Sequence, residues 1–154
     1  MKASLLITFY NNCHELDLIL KRVMVLGFDI EIIIADDGSK PQTKKLIEKY
    51  QLEFPFLLIH AWHEDKGFRK SKIHNQAIDM SCGELLVFID GDCICRKDFL
   101  KDHVSIYRKN REQLWKLKTT RIGYNLGFAL NFPRESFDRG ESLLSLEKQN
   151  PQNL

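Results

Sequence analysis

Long hydrophobic runs are missing from this chain. Its first apolar stretch, Leu5–Ile7 followed by Thr8, is far too short for a signal-peptide core or a membrane span. The expectation is a cytoplasmic protein with no membrane span. Net charge is also scarce: 23 Lys and Arg against 21 Asp and Glu leave +2, too little to point to a nucleic acid partner. Basic residues gather only in the last third, at Arg108, Lys109, Arg111, Lys116, Lys118 and Arg121. A solvated helix face accounts for them, with contact to an anionic membrane surface as the other reading. Cysteines are few, and Cys13, Cys82, Cys93 and Cys95 come with no Cys-x-x-Cys or paired histidines, which excludes a zinc site. They read as reduced thiols in or near the core, as in a cytosolic protein. Internal repeats and low-complexity segments are absent too. What remains is 154 residues, 44% hydrophobic and 29% charged, enough for one ordinary globular domain.

Periodicity then sorts the chain into alternating elements. Ala3–Tyr10 is an apolar run of strand length, ended by Asn11-Asn12. Residues 13–26 carry Leu16, Ile19, Leu20, Val23 and Leu26 on one helical stripe, with Gly27 as C-cap. Ile30–Ala35 is a second strand, stopped by Asp36-Asp37-Gly38-Ser39, and Pro41 opens the next helix. Phe56–Ala61 is a third strand, 62–69 a polar loop, Lys70–Ser81 a helix, Leu85–Ile89 a fourth strand and Lys97–Lys109 a further helix. Strand–helix alternation with uniformly apolar strands indicates an α/β fold: an open, mainly parallel, Rossmann-like sheet with helices on both faces. Residues 1–110 form the core. Residues 111–154 are a divergent C-terminal segment of the same domain, expected to hold one strand near Gly127–Phe132 and a short helix over Ser142–Gln149.

Such sheets bind ligands at the carboxyl ends of their strands. Four polar segments fall there: Tyr10-Asn11-Asn12, Asp36-Asp37-Gly38, Trp62-His63-Glu64-Asp65 and Asp90-Gly91-Asp92. Asp90 and Asp92, two apart on a tight turn, can converge on one hard cation, Mn²⁺ or Mg²⁺, which takes carboxylate and phosphate oxygens. The plainer reading is a turn whose aspartates cap the following helix. Asp36-Asp37-Gly38-Ser39 suits a base or ribose contact, but taken alone this segment is better accounted for by a turn with a helix cap. Gly67-Phe68-Arg69-Lys70-Ser71-Lys72 places cations at a helix start, where phosphate is attracted. His60, His63, His74 and His103 read as surface or capping residues rather than ligands, and His14 as exposed on the first helix.

Taken in order, these segments resemble the family-2 glycosyltransferases of the GT-A fold. Ser4–Asn11 looks like that family's opening strand, and Ile32–Ser39 like its second-strand signature. Trp62–Arg69 with Asn75–Ile78 is similar to the loop and helix of a bacterial subgroup. Gly83–Cys93 looks like its DxD strand. The resemblance runs from about residue 3 to 105. It implies a nucleotide-sugar site built from Thr8, Tyr10, Asn11, Asp36, Asp37, Gly67, Arg69, Lys72, Asn75 and Asp90. Tyr10 and Asn11 would lie beside the base, Asp36 and Asp37 at base or ribose, and Arg69 and Lys72 near the diphosphate. Asp92, with Asp90, would hold Mn²⁺ or Mg²⁺. The activity implied is metal-assisted, inverting transfer of a sugar, from a UDP-sugar in the first instance, to a hydroxyl of a glycan or lipid-linked acceptor in cell-surface polysaccharide or glycan biosynthesis.

Departures from the family pattern bear on catalysis. Thr8-Phe9 stands where many members have Pro-Thr, and His74 where Arg is frequent. The acceptor half, with a Glu-Asp motif supplying the catalytic base, has no counterpart: Glu135, Asp138, Glu141 and Glu147 form no acidic pair. An inverting transferase needs a carboxylate to take the acceptor proton, and none is identified. The chain therefore reads as a truncated N-terminal part, a minimal member, or an incomplete nucleotide-binding module acting with a partner chain. A sheet edge left open by truncation would invite a homodimer. A nucleotidyltransferase is disfavoured, because Asn11-Asn12-Cys13-His14-Glu15 is not a Gly-rich basic triphosphate loop.

Overall fold

A computed structural model describes residues 3–26, 30–114, 120–124 and 127–133, with side chains as far as Lys109. Its elements in chain order are β1 (Ala3–Phe9), α1 (Cys13–Met24), β2 (Ile30–Asp36), α2 (Pro41–Glu53), β3 (Leu57–Trp62), α3 (Lys70–Met80), β4 (Leu85–Asp90), α4 (Phe99–Leu114), β5 (Thr120–Tyr124) and β6 (Gly127–Pro133). They form one sheet in the order β3-β2-β1-β4-β6-β5. The first four strands are parallel, as βαβ connections require. β6 runs antiparallel to β4 and to β5.

Successive strand residues point to opposite faces, so each strand feeds two cores. Leu5, Ile7, Ile32, Ile34, Val87 and Ile89 meet Leu16, Ile19, Leu20 and Val23 of α1, Ile47 and Tyr50 of α2, and Phe99 and Leu100 of α4. The alternate residues Leu6, Ile33, Ala35, Leu86 and Phe88 meet Ile73, Ala77 and Ile78 of α3. The expected α/β class, with helices on both faces, is the fold observed. Among the described residues no helix is long and apolar enough to cross a membrane.

Three expectations are corrected. Where one strand was expected, near Gly127–Phe132, there are two, β5 and β6, paired antiparallel, with Gly127 opening the second. The last helix begins at Phe99, two residues later than expected, and extends to Leu114. α1 stops at Met24 with Val25 at its C-cap; Gly27 and the expected helix over Ser142–Gln149 lie outside the described residues.

At the amino end of the sheet a buried carboxylate ties three segments together. Glu31 pairs with Ser4 across β1 and β2. Its carboxylate accepts the Ser4 hydroxyl at 2.5 Å, the backbone N–H groups of Cys82 and Gly83 at 2.5 and 3.0 Å, and the Cys82 thiol at 2.8 Å. Burial alone would raise its pKa, but the thiol, hydroxyl and N–H donors outweigh burial and bring it from 4.5 down to about 2.

Candidate functional site

Strand register sets the opposite edge. Thr8 lies beside Asp90, Phe9 beside Asp36, and Asp36 beside Trp62, so the carboxyl ends of four strands finish in one row. Two glycines let the following turns close over it. A side chain at Gly91 would come within 2.5 Å of the Thr8 carbonyl oxygen, so only glycine lets the Asp90–Asp92 turn lie across the end of β1. Gly38 has φ +97°, and a Cβ there would meet the Asp65 backbone at 2.6 Å. The loop after β3 therefore rests directly on the turn after β2.

That loop is tied down at several points. The Tyr10 hydroxyl donates to Asp65 at 2.9 Å, and the Gly67 N–H donates to the same carboxylate at 3.1 Å. Asp65 is held below the usual carboxylate range, by the Gly67 N–H first and then by Tyr10. Asp37 contacts the His63 ring at 2.6 Å through one oxygen and accepts the Arg69 N–H at 2.8 Å through the other. The Trp62 indole donates to the Ser39 carbonyl at 3.3 Å.

The result is a cavity of about 440 Å³ between the ends of β1 and β4, under the 62–69 loop. Glu15, Asp37, Asp65, Asp90 and Asp92 line it, and Lys70 is the one cation among its lining residues. The Lys70 ammonium sits 2.5 Å from Asp90 Oδ1. Asp92 accepts the buried Cys93 thiol at 3.3 Å. Burial first, and then this bond to Asp92, push the Cys93 pKa up to about 11, which keeps the proton on sulfur. On the floor, Thr8 Oγ1 bonds His74 Nε2, and the imidazole packs against Phe88 at 5.6 Å between ring centres. Burial first, and then the charge of Lys70, lower the His74 pKa to about 4, so this ring is neutral near pH 7.

Of the residues singled out from sequence, Thr8, Tyr10, Asp37, Gly67, Asp90 and Asp92 line this one cavity. Asn11 stands behind it at φ +54°. Its N–H donates to Ser39 and its side-chain oxygen accepts the Lys40 N–H, both at 2.8 Å, locking the first turn to the second. Asp36 is fully buried; it accepts the Ser39 N–H and contacts His60, each at 2.8 Å. Arg69 turns its guanidinium to the Glu64 carbonyl. Lys72 and Asn75 are exposed and do not line the cavity.

Lys70, named from sequence only among the cations of the helix start and not among the site residues the resemblance implies, lines the cavity, and helical phase carries that signal. Ile73, His74, Ala77 and Ile78 are the buried stripe of α3, and Lys70 lies one turn before them, whereas Lys72 and Asn75 fall on the opposite face. The reading of the histidines as surface or capping residues is also corrected. His74 and His103 are buried, and His60 and His63 hold Asp36 and Asp37. His14 is exposed as expected. Asp90 and Asp92 offer oxygen atoms alone, the donor type a hard divalent cation takes. Among the described residues no third His, Cys, Asp or Glu closes a cluster with them.

Known proteins match this arrangement in sequence and in fold. The model of "Glycosyl transferase family 2" matches residues 4–149. YfnE, an uncharacterized glycosyltransferase of Bacillus subtilis (strain 168), is 31% identical over 116 residues, 74% of this chain and 29% of that protein. TarS of Staphylococcus aureus, a poly(ribitol-phosphate) beta-N-acetylglucosaminyltransferase, is 25% identical over 121 residues, 77% of this chain and 21% of its own length. The chain thus spans less than a third of either relative. A crystal structure of TarS 1–349 in complex with UDP-GlcNAc has a TM-score of 0.61 at 25% identity, covering 72% of this chain and 32% of that one. The mannosyltransferase PcManGT from Pyrobaculum calidifontis, solved with GDP-Man and Mn²⁺, gives 0.70 at 18% identity over 91% of this chain and 46% of its own, a likeness of fold alone. With a family match running from β1 to residue 149, this chain belongs to glycosyl transferase family 2 and has the GT-A architecture of its solved neighbours.

Proposed function

We propose that the cavity binds a UDP-sugar together with Mn²⁺ or Mg²⁺, as the donor site of a metal-assisted, inverting sugar transfer to a hydroxyl of a glycan or lipid-linked acceptor. Cell-surface polysaccharide or glycan synthesis in the cytoplasm is the setting this reading implies. The observation that carries it is the charge of the lining: five carboxylates against one lysine. A diphosphate brought alone to such a surface is repelled, whereas one brought with a divalent cation is attracted. Asp92 and Asp90 would hold the cation, and its chemistry there is to neutralise the departing diphosphate. Tyr10, Thr8 and Asp37 line the part of the cavity toward β1 and β2, where the nucleoside is assigned. The loop pinned by Asp65 and Gly67 borders that side.

Structures of relatives support the ligand class: TarS 1–349 has been solved with UDP and with UDP-GlcNAc. A second reading, an incomplete nucleotide-binding module acting with a partner chain, draws support from the chain's short span of its relatives. It also draws on Asp65, whose two oxygens are already committed to Tyr10 and Gly67 and which is therefore a poor acceptor base. A homodimer through the open edge of β3, where Leu57 is exposed, belongs to the same proposal and is tested by light scattering. Calorimetric titration with UDP, with and without Mn²⁺, tests the donor site. Binding that needs the metal and is lost in Asp92→Ala is expected; absent binding, or binding indifferent to both, overturns it. Release of UDP from a donor and acceptor favours the enzyme, and binding without release favours the module.

A further inference from the structure

The two carboxylates of the Asp90-Gly91-Asp92 turn are not equivalent. Asp92 is exposed and meets a neutral thiol, whereas Asp90 already carries a built-in cation, the Lys70 ammonium at 2.5 Å. Helix geometry places that ammonium. Lys70 is the first residue of α3, on the same face as His74 one turn further along, and His74 is itself bonded to Thr8 beneath the cavity. The Lys70 side chain is about one-third exposed, so it has room to turn. An ammonium in contact with Asp90 and a divalent cation on the same carboxylate repel each other at this range.

We propose that Lys70 is an exchangeable counter-ion: it occupies Asp90 in the empty site and moves to the diphosphate of the incoming nucleotide, coupling nucleotide binding to cation binding. This rests on the donor-site reading above. A cation arriving alone must displace Lys70 and binds weakly. A nucleotide offers Lys70 a new anionic partner and frees Asp90. Each ligand therefore improves the site for the other, by the same factor in both directions.

The test measures binding rather than turnover. Free Mn²⁺ is followed by electron paramagnetic resonance, and UDP by calorimetry, for the wild type, Lys70→Met, Lys70→Arg and Asp92→Asn. Lys70→Met should tighten Mn²⁺ alone by roughly fivefold and weaken UDP in the presence of Mn²⁺ by a similar factor, the scale of a partly exposed ion pair. The enhancement of each ligand by the other should shrink accordingly, and Lys70→Arg should keep it. Unchanged or weaker Mn²⁺ affinity in Lys70→Met, while the wild type still binds UDP with Mn²⁺, overturns the exchange and leaves the donor site standing. A wild type that binds neither ligand, or an Asp92→Asn variant that binds both normally, removes the donor site and the exchange with it. Circular dichroism checks folding; if Lys70→Met does not fold, Lys70→Gln removes the same charge and is read by the same criteria.

Discussion

The sheet carries partnered carboxylates at both of its ends, and they are partnered in different ways. At the amino end Glu31 is surrounded by a hydroxyl, a thiol and two backbone N–H groups, all on segments that cannot leave without unpairing β1, β2 or β4. At the carboxyl end Asp90 faces a lysine on a flexible stem, and Asp92 a single thiol. Fixed donors turn a carboxylate into a tie, whereas exchangeable ones leave it able to take a ligand. Asp36 and Asp37 stand between these cases. Backbone N–H groups hold one oxygen of each and a histidine ring the other, which makes Asp36 scaffold and Asp37 scaffold as well as lining.

Four substitutions sharpen or break this contrast. The largest effect is expected at Glu31. Glu31→Ala takes the acceptor from the Ser4 hydroxyl, the Cys82 N–H and the Cys82 thiol, and should cost roughly 3 kcal/mol of unfolding free energy in urea titrations. A loss below about 0.5 kcal/mol, the range of an ordinary surface change, would break the contrast. Next is Asp92→Ala, which should reduce Mn²⁺-dependent UDP affinity on the order of a hundredfold while leaving the urea midpoint unchanged. A large stability loss there would make Asp92 scaffold too.

Acid weakens both ends, in different pH windows. The Glu31 pKa is depressed from 4.5 to about 2, so its contribution is fully present above pH 4.5 and is lost as pH falls through about 2. Glu31→Gln should flatten that part of the stability profile between pH 5 and 2, and a profile identical to wild type would refute the tie. The smallest effect is expected at His74, whose pKa falls from 6.5 to about 4. Protonation favours the unfolded chain, so its contribution is complete above pH 6.5 and declines as pH falls toward 4. His74→Asn should cost about 1 kcal/mol at pH 7.5, for the bond to Thr8 and the packing on Phe88. A nuclear magnetic resonance titration showing the His74 ring ionising near 6.5 would count against its burial as a neutral group.

Much of this was legible in the chain itself. Ile30–Ala35 and Leu85–Ile89 are so apolar that only a doubly covered parallel strand suits them, and the acidic turn after each then had to share one edge. The histidines were not legible, because His63 is held by Asp37, 26 residues away, and His74 by Thr8, 66 residues away. The resemblance put Arg69 and Lys72 near the diphosphate, whereas helical phase puts Lys70 on the cavity side of α3. The β5–β6 hairpin was read as one strand because Gly123 and Gly127 interrupt the apolar pattern that makes a strand recognisable.

Pairing between β1 and β4 has a further consequence, for the order in which the molecule matures. Pairing Thr8 with Asp90 closes a loop of 81 intervening residues that spans three βαβ crossovers. Such long-range closure is entropically costly and slow. The cavity is therefore a property of the finished chain, and intermediates that hold only β1, β2 and β3 lack it. A ligand for this cavity should shift the thermal midpoint of the whole cooperative unit rather than of one segment. Melting temperature against ligand concentration thus becomes a first screen for the donor.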